Sequence, residues 1–444
     1  MLIRPGSSAY RALEPAMFRI LLMCDGVTPL SGDLLTAGER TILDQLQAQG
    51  VVSAADVPRP IAPQQVYRFH DNRFMQMIMW SLTGRCNFRC RHCFLDSPDS
   101  SWQEMTTAEA MRVVDQLAEC GVLSVHLTGG EPFVRPDFWQ IVDRLCEKGV
   151  GISAVYTNAW LVSPSTLDAF DQRGLKPEFS ISFDGLGWHD WMRGVPGAEQ
   201  HTLDVLALCV RRGFPVNAAV TLHRGNSAVL RETLRKLSDL GVPRAKIGEV
   251  QPTELWKARH EGNQMTSEEY YETVLRYIPS YYEDKLPIQV HFGNAVMLHP
   301  DPEKSRVTAE RYPDDPASAR LHLCTSARYA SYIAPDGRLL PCLPMTACAE
   351  QVLFPRIQTI GLKKALTDSF YMDFLDRRVG DLLAANPKCG SCAHRYQCGG
   401  GCRASALLST HRLMGCDRTQ CLQYQNNYPE RIRQALRRAG RRGQ

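Results

Sequence analysis

Cys86, Cys90 and Cys93 put three thiols into one short stretch, Cys86-Asn87-Phe88-Arg89-Cys90-Arg91-His92-Cys93. Their neighbours are Asn, Arg and His rather than apolar groups, so these thiols are placed to bind rather than to fill a core. Three soft ligands on one loop suit an iron-sulfur cluster or a zinc ion, and either normally takes a fourth protein ligand. A missing fourth ligand implies an open coordination site. A second set, Cys324, Cys342, Cys348, Cys389, Cys392, Cys398, Cys402, Cys416 and Cys421, supplies nine more thiols late in the chain. Two [4Fe-4S] clusters would use eight of them at four each, although zinc ribbons share the CxxC spacing. Gly129-Gly130-Glu131-Pro132 and Ser180-Ile181-Ser182-Phe183-Asp184-Gly185 add acidic and hydroxyl groups, in settings that also suit tight turns and caps.

The elements that must position these residues are α/β. Apolar runs at 75–82, 123–127, 152–156, 179–183, 216–222 and 246–250 alternate with helical patterns at 107–120, 138–148, 163–173, 202–212 and 228–240. Six β-then-α units require parallel strands and right-handed crossovers, hence a partial (β/α)6 TIM-like barrel. Chemistry in such barrels gathers where strands end. Cys86, Gly129 to Pro132, Thr157, Asn158 and Asp184 fall there.

The chain divides into an amino-terminal module (1–72) with candidate helices at 15–25 and 37–49, the barrel (75–255), and a bridging region (256–320) with a helical stretch near 267–278 and an apolar run at 288–292. A cysteine-rich domain (321–425) follows. The tail (426–444) is basic through Arg431, Arg433, Arg437, Arg438, Arg441 and Arg442 and is expected to be a solvated, frayed end. Sixteen cysteines in 444 residues would suggest disulfides in a short secreted protein, but no signal-peptide pattern opens the chain. Reduced thiols in a cytoplasmic protein are expected, with no membrane partner, and Cys24, Cys120, Cys146 and Cys209 are expected in helix cores. A net charge of +4 is too small at this length to argue for nucleic acid.

The CxxxCxxC spacing, with aromatic His92 before the last cysteine, resembles the signature of the radical SAM superfamily. The resemblance implies that Cys86, Cys90 and Cys93 hold three irons of a [4Fe-4S] cluster while S-adenosylmethionine chelates the fourth. Reductive cleavage then gives a 5′-deoxyadenosyl radical that removes a hydrogen atom from substrate. Gly129, Gly130 and Glu131 look like the family's GGEP, expected to approach the methionine amino group through flexible glycines. Ser182 and Asp184 resemble the strand-four segment near the ribose and carboxylate, and His92, Asn217, Thr221 and Gly248 to Pro252 are further candidates to line the ligand. No catalytic side chain is assigned.

Cys389-x2-Cys392-x5-Cys398-x3-Cys402, preceded by Gly337-x4-Cys342, resembles the SPASM domain of peptide-modifying radical SAM enzymes. By that resemblance one auxiliary [4Fe-4S] cluster takes Cys324, Cys342 and Cys402, with Cys348 as fourth ligand or an open site. The other takes Cys389, Cys392, Cys398 and Cys421, the last preferred over Cys416. The first module resembles the winged-helix peptide-recognition module of ribosomal peptide maturases; a plain helical cap or a DNA-reading helix-turn-helix is the alternative. The expected activity is maturation of a precursor peptide by a thioether, carbon-carbon or carbon-oxygen crosslink or a related change, with flavodoxin or ferredoxin as electron donor. Formylglycine formation of the sulfatase-maturase type and action on a haem-like or other small molecule are the alternatives.

Overall fold

The structure is a computed structural model that describes residues 2–3, 10–11, 14–31, 34–61, 77–97, 102–251 and 253–442. In the first module α1 (Pro15–Met23) and α2 (Ala37–Ala48) pack through Ile20, Leu21, Leu35 and Leu46. A short hairpin pairs Leu2–Ile3 with Tyr10–Arg11. The expected linker up to residue 72 and the expected strand start at Met75 lie outside the described residues, apart from 58–61.

The barrel follows the expected alternation: β1 (Met77–Ser81), α3 (Thr107–Glu119), β2 (Ser124–Thr128), α4 (Phe138–Glu147), β3 (Gly151–Thr157), α5 (Pro164–Gln172), β4 (Glu178–Ser182), α6 (His189–Arg193), α7 (Ala198–Arg211), β5 (Val216–Leu222), α8 (Leu230–Asp239) and β6 (Arg244–Glu249). Helix starts are written into the chain. Thr106 and Glu109 form a reciprocal capping box on α3, and Ser163 with Thr166 caps α5. Consecutive strands β1 to β6 pair in parallel.

The sheet does not stop at six strands. After α9 (Glu254–His260) and α10 (Ser267–Asp284), β7 (Gln289–Phe292) joins β6 in parallel, and β8 (Val296–Leu298) and β9 (Arg306–Val307) extend that edge antiparallel. At the other edge β10 (Ala330–Ile333), from the cysteine-rich part, lies parallel to β1, with β11 (Leu339–Leu340) beyond it. Thus part of the expected bridging region and of the cysteine-rich domain completes the barrel wall.

Strand alternation gives this wall two faces. On β5, Val216, Ala218, Val220 and Leu222 are buried in the main core, whereas Asn217, Ala219 and Thr221 are half-buried on the inner side. The basic tail is also ordered: Tyr428–Arg442 is a helix, α11, packed on α10. Tyr428 and Ile432 are buried, and Arg431 and Arg433 pair with Glu272 and Glu310. This corrects the expectation of a frayed end, because an apolar stripe at helical spacing anchors the arginines. Among the described residues no helix is long and apolar enough to cross a membrane.

Candidate functional site

The thiol loop follows β1 at the carboxyl end of the barrel. The three thiols interact electrostatically with one another. In a multi-iron cluster each thiolate would have its own iron. Each sulfur also faces N–H donors. Cys86 Sγ lies 3.4 Å from the Phe88 amide and 3.7 Å from Asn158 Nδ2, Cys90 Sγ 3.6 Å from Arg193 Nη1, and Cys93 Sγ 3.4 Å from the Ser97 amide. Burial pushes the Cys86 thiol up to about 12 and raises Cys90. The buried guanidinium and amides then favour anionic sulfur, as metal-bound thiolates need. The donor set fits a three-thiolate [4Fe-4S] site.

Gly129 and Gly130 sit against this loop, with Gly130 N donating to Thr83 O and Glu131 N to Arg85 O. A Cβ on Gly130 would lie 2.1 Å from Arg85 O. The glycines are therefore required by close backbone contact rather than by flexibility. Glu131 is fully buried, and its carboxylate accepts from Thr157 Oγ1 at 2.9 Å, Asn158 N at 2.8 Å and Phe133 N at 3.3 Å. Burial pushes it up to about 7 against the pull of those bonds. It ties the ends of β2 and β3 together beneath the loop.

Asp184 is likewise enclosed, accepting from Arg193 Nε at 2.6 Å and Thr221 N at 3.0 Å. Burial alone would raise its carboxyl, but the guanidinium overrides that and holds it well below the usual range. His189 Nδ1 lies 3.0 Å from the Asp184 amide and 3.5 Å from Asp184 Oδ2. His92 is half-buried, with Nε2 3.4 Å from Thr221 Oγ1 and a buried Nδ1 without a partner among the described residues. Burial pushes it down to about 4, so it is neutral. Ser182 is half-buried on the inner face. Asn217 bonds Ser180 Oγ instead, and it sits four residues before Thr221 on β5, roughly 13 Å below the layer His92 touches. Gly248 pairs with Thr221, and Pro252 lies outside the described residues.

Arg193 was not singled out from sequence, nor was the aromatic wall of Trp188, Trp191, His223, Trp256 and His260, which crowds Arg91 of the thiol loop. The Arg91 guanidinium lies 4.8 Å above Trp191 and donates to its carbonyl. A clue was the run Trp188-His189-Asp190-Trp191-Met192-Arg193 directly after Asp184.

The late cysteines separate into two groups. Cys342 interacts electrostatically with Cys402, Cys324 and Cys348. Cys389, Cys392, Cys398, Cys416 and Cys421 form the other, and Cys416 and Cys421 touch each other. The structure thus brings Cys348 to the first set and both Cys416 and Cys421 to the second. Consecutive left-handed glycines Gly399, Gly400 and Gly401 (φ 54°, 78° and 76°) turn the chain between the sets. Buried Arg403 binds the Leu413 and Gly415 carbonyls and is attracted by Cys402 and Cys389, while Arg311 faces Cys402 and Cys324. Burial raises these thiols, and the two arginines lie where they would offset the charge of metal-bound thiolates.

Residues 80–237 match the family model described as the Radical SAM superfamily. The chain is 25% identical to an AdoMet-dependent heme synthase of Methanosarcina barkeri (strain Fusaro / DSM 804), over 76% of this chain and 93% of that protein. It is 26% identical to a PqqA peptide cyclase of Gluconobacter oxydans (strain 621H), over 81% of this chain and 93% of that protein. The fold is shared with Streptococcus suis SuiB at 15% identity. The S-adenosylmethionine complex gives a TM-score of 0.60 with 88% and 84% of the two chains covered, and the complex with precursor peptide SuiA gives 0.56 with 89% and 83% covered.

Proposed function

We propose that this chain, whose residues 80–237 match the Radical SAM superfamily model, is a radical SAM enzyme with S-adenosylmethionine and a [4Fe-4S] cluster as its cofactors, and a maturase that installs a crosslink or related change in a ribosomally made precursor peptide. The observation that carries this reading is the sorting of nine late thiols into two buried-cation-lined groups, which supports two auxiliary [4Fe-4S] clusters. The names of the PqqA peptide cyclase and of SuiB with its precursor peptide point the same way.

Cys86, Cys90 and Cys93 would hold the catalytic cluster, which when bound with S-adenosylmethionine supplies the 5′-deoxyadenosyl radical. Asn158 and Arg193 hold the thiolates through N–H donors, and Asp184 holds Arg193. Gly129, Gly130 and Glu131 fix the loop from below, and neutral His92 presents its ring at the inner face. The aromatic wall packs around Arg91 at this end of the barrel. Cys324, Cys342, Cys348 and Cys402 would hold one auxiliary cluster; Cys389, Cys392, Cys398 and Cys421 or Cys416 the other. Residues 1–72 would hold the leader of the peptide, and a flavodoxin or ferredoxin would deliver electrons in the cytoplasm.

Similarity to the heme synthase favours one second reading, a tetrapyrrole substrate. Anaerobically reconstituted protein should hold about twelve irons per chain, and a peptide encoded beside its gene should change mass when reductant and S-adenosylmethionine are added. About four irons would remove the auxiliary clusters. Turnover of haem precursors with no change in any such peptide would favour the second reading.

A further inference from the structure

The inner face of the barrel below the thiol loop is polar, whereas the interior of a closed (β/α)8 barrel is filled by branched apolar side chains. His126 on β2, Tyr156 on β3, Asn217 on β5 and His291 on β7 are half-buried on the strand face opposite the main core, and Lys246 on β6 is exposed on that face. The alternate residues of these strands, such as Val125, Val155, Val220, Ile247 and Val290, are buried in the main core. A lumen with this lining is built to hold a polar ligand.

Its charge is one-sided. Glu178, the acidic residue at this level, is ion-paired with Arg244. Lys246 has no hydrogen bond or ion pair among the described residues, and it acts electrostatically on His126 across the lumen and on His291 beside it. Direct register places Lys246 opposite His291, His291 opposite Met297 and Met297 opposite Arg306. Burial, with Lys246 adding to it and Glu178 opposing, pushes His126 down to about 4; burial lowers His291 as well. Both imidazoles are therefore neutral hydrogen-bonding groups, and His126 Nδ1 is buried without a partner. A free ammonium beside two such rings calls for an anion of small size.

The depth is informative. Lys246 pairs with Ala219, two residues below Thr221, the residue that His92 reaches. That is roughly 7 Å along the strand, one inward-facing layer below the thiol loop and about the distance between same-face side chains two residues apart on an extended peptide.

We propose that this layer is a carboxylate-binding subsite in which Lys246 is the counter-ion and His126 and His291 are hydrogen-bond donors, so that the peptide carries an acidic side chain two residues from the residue that reacts. The proposal rests on the peptide reading; a propionate of a tetrapyrrole is the other source of the same chemistry.

The test uses cluster-loaded, full-length enzyme with S-adenosylmethionine and two fluorescent Gly/Ala octapeptides that differ only in a central Glu or Gln, read by anisotropy. Haemin is the third probe. The wild type should bind the Glu peptide about tenfold more tightly than the Gln peptide, as one charge-assisted contact provides. Lys246→Met should abolish that preference and Lys246→Glu should reverse it, with iron content retained as the check that the variants fold and load their clusters. Equal binding of both peptides by wild type, with haemin binding also insensitive to Lys246→Met, would overturn the subsite. Haemin binding that falls in Lys246→Met while neither peptide binds would keep the subsite and overturn the peptide reading. A Glu preference that survives Lys246→Met would show that Lys246 is not the counter-ion and overturn the assignment.

Discussion

Replacing Arg193 by Met leaves Asp184 buried and charged, with the Thr221 amide but no cation. Breaking one side of a buried ion pair costs about 3–5 kcal/mol, while removing both charges and filling the space is close to neutral. Arg193→Met and Asp184→Leu should therefore each destabilise the barrel by about 3–5 kcal/mol. The double variant Arg193→Met, Asp184→Leu should lose far less than the sum, a coupling of about 3 kcal/mol. Denaturant unfolding of metal-free protein, followed by tryptophan fluorescence, reads this directly because Trp188 and Trp191 flank the pair. Arg193 also reaches Cys90 Sγ, so Arg193→Met should bind less iron at the loop than wild type. A coupling below about 1 kcal/mol would refute the buried pair as the strut of this site.

Other outcomes follow from the same contacts. Gly130→Ala drives a Cβ into the Arg85 carbonyl, so the variant should lose the loop iron while keeping the iron of the late cysteines, as metal analysis would show. Glu249 is pushed up to about 7, first by burial and then by Asp417, with Tyr270 and Tyr271 beside it. A raised carboxyl pKa means that stability falls as pH rises from the ordinary carboxylate range through 7. Glu249→Gln should therefore melt higher than wild type at pH 8, by about 1–3 kcal/mol, and match it near pH 5. Ending the chain at Asn427 removes buried Tyr428 and Ile432 and should cost about 3–5 kcal/mol in thermal or denaturant unfolding. An unchanged melting temperature would restore the frayed-tail reading.

Local signals carried much of this structure in the open. The Cys86 loop, the alternating runs from β1 to β6 and the capping boxes at Thr106 and Ser163 depend on neighbours in sequence, so they can be read directly. The added strands could not. Gln289–Phe292 and Ala330–Ile333 are short apolar runs whose place depends on pairing with β6 and β1, the latter more than two hundred residues away. The tail misled because its arginines outnumber the apolar residues, although Tyr428, Ile432, Ala435 and Ala439 repeat at helical spacing. Within the site, thiols and GGEP were legible by type and spacing, but the reason for the glycines was not, since the Arg85 carbonyl approaches from another segment. Arg193 and Asn158 carry no signature of their own; their importance comes from where the chain brings them. Asn217 has the right type and strand but the wrong depth, a distinction that only register supplies.

The central claim is that Cys86, Cys90 and Cys93 form an open-site cluster loop that cleaves S-adenosylmethionine. Chromatography of 5′-deoxyadenosine after anaerobic reduction tests it most directly. Wild type should release it, and the variant with all three cysteines changed to Ala should release none while retaining the iron of the late cysteines. Release from that variant at the wild-type rate, or none from wild type with the loop iron verified, would contradict the account.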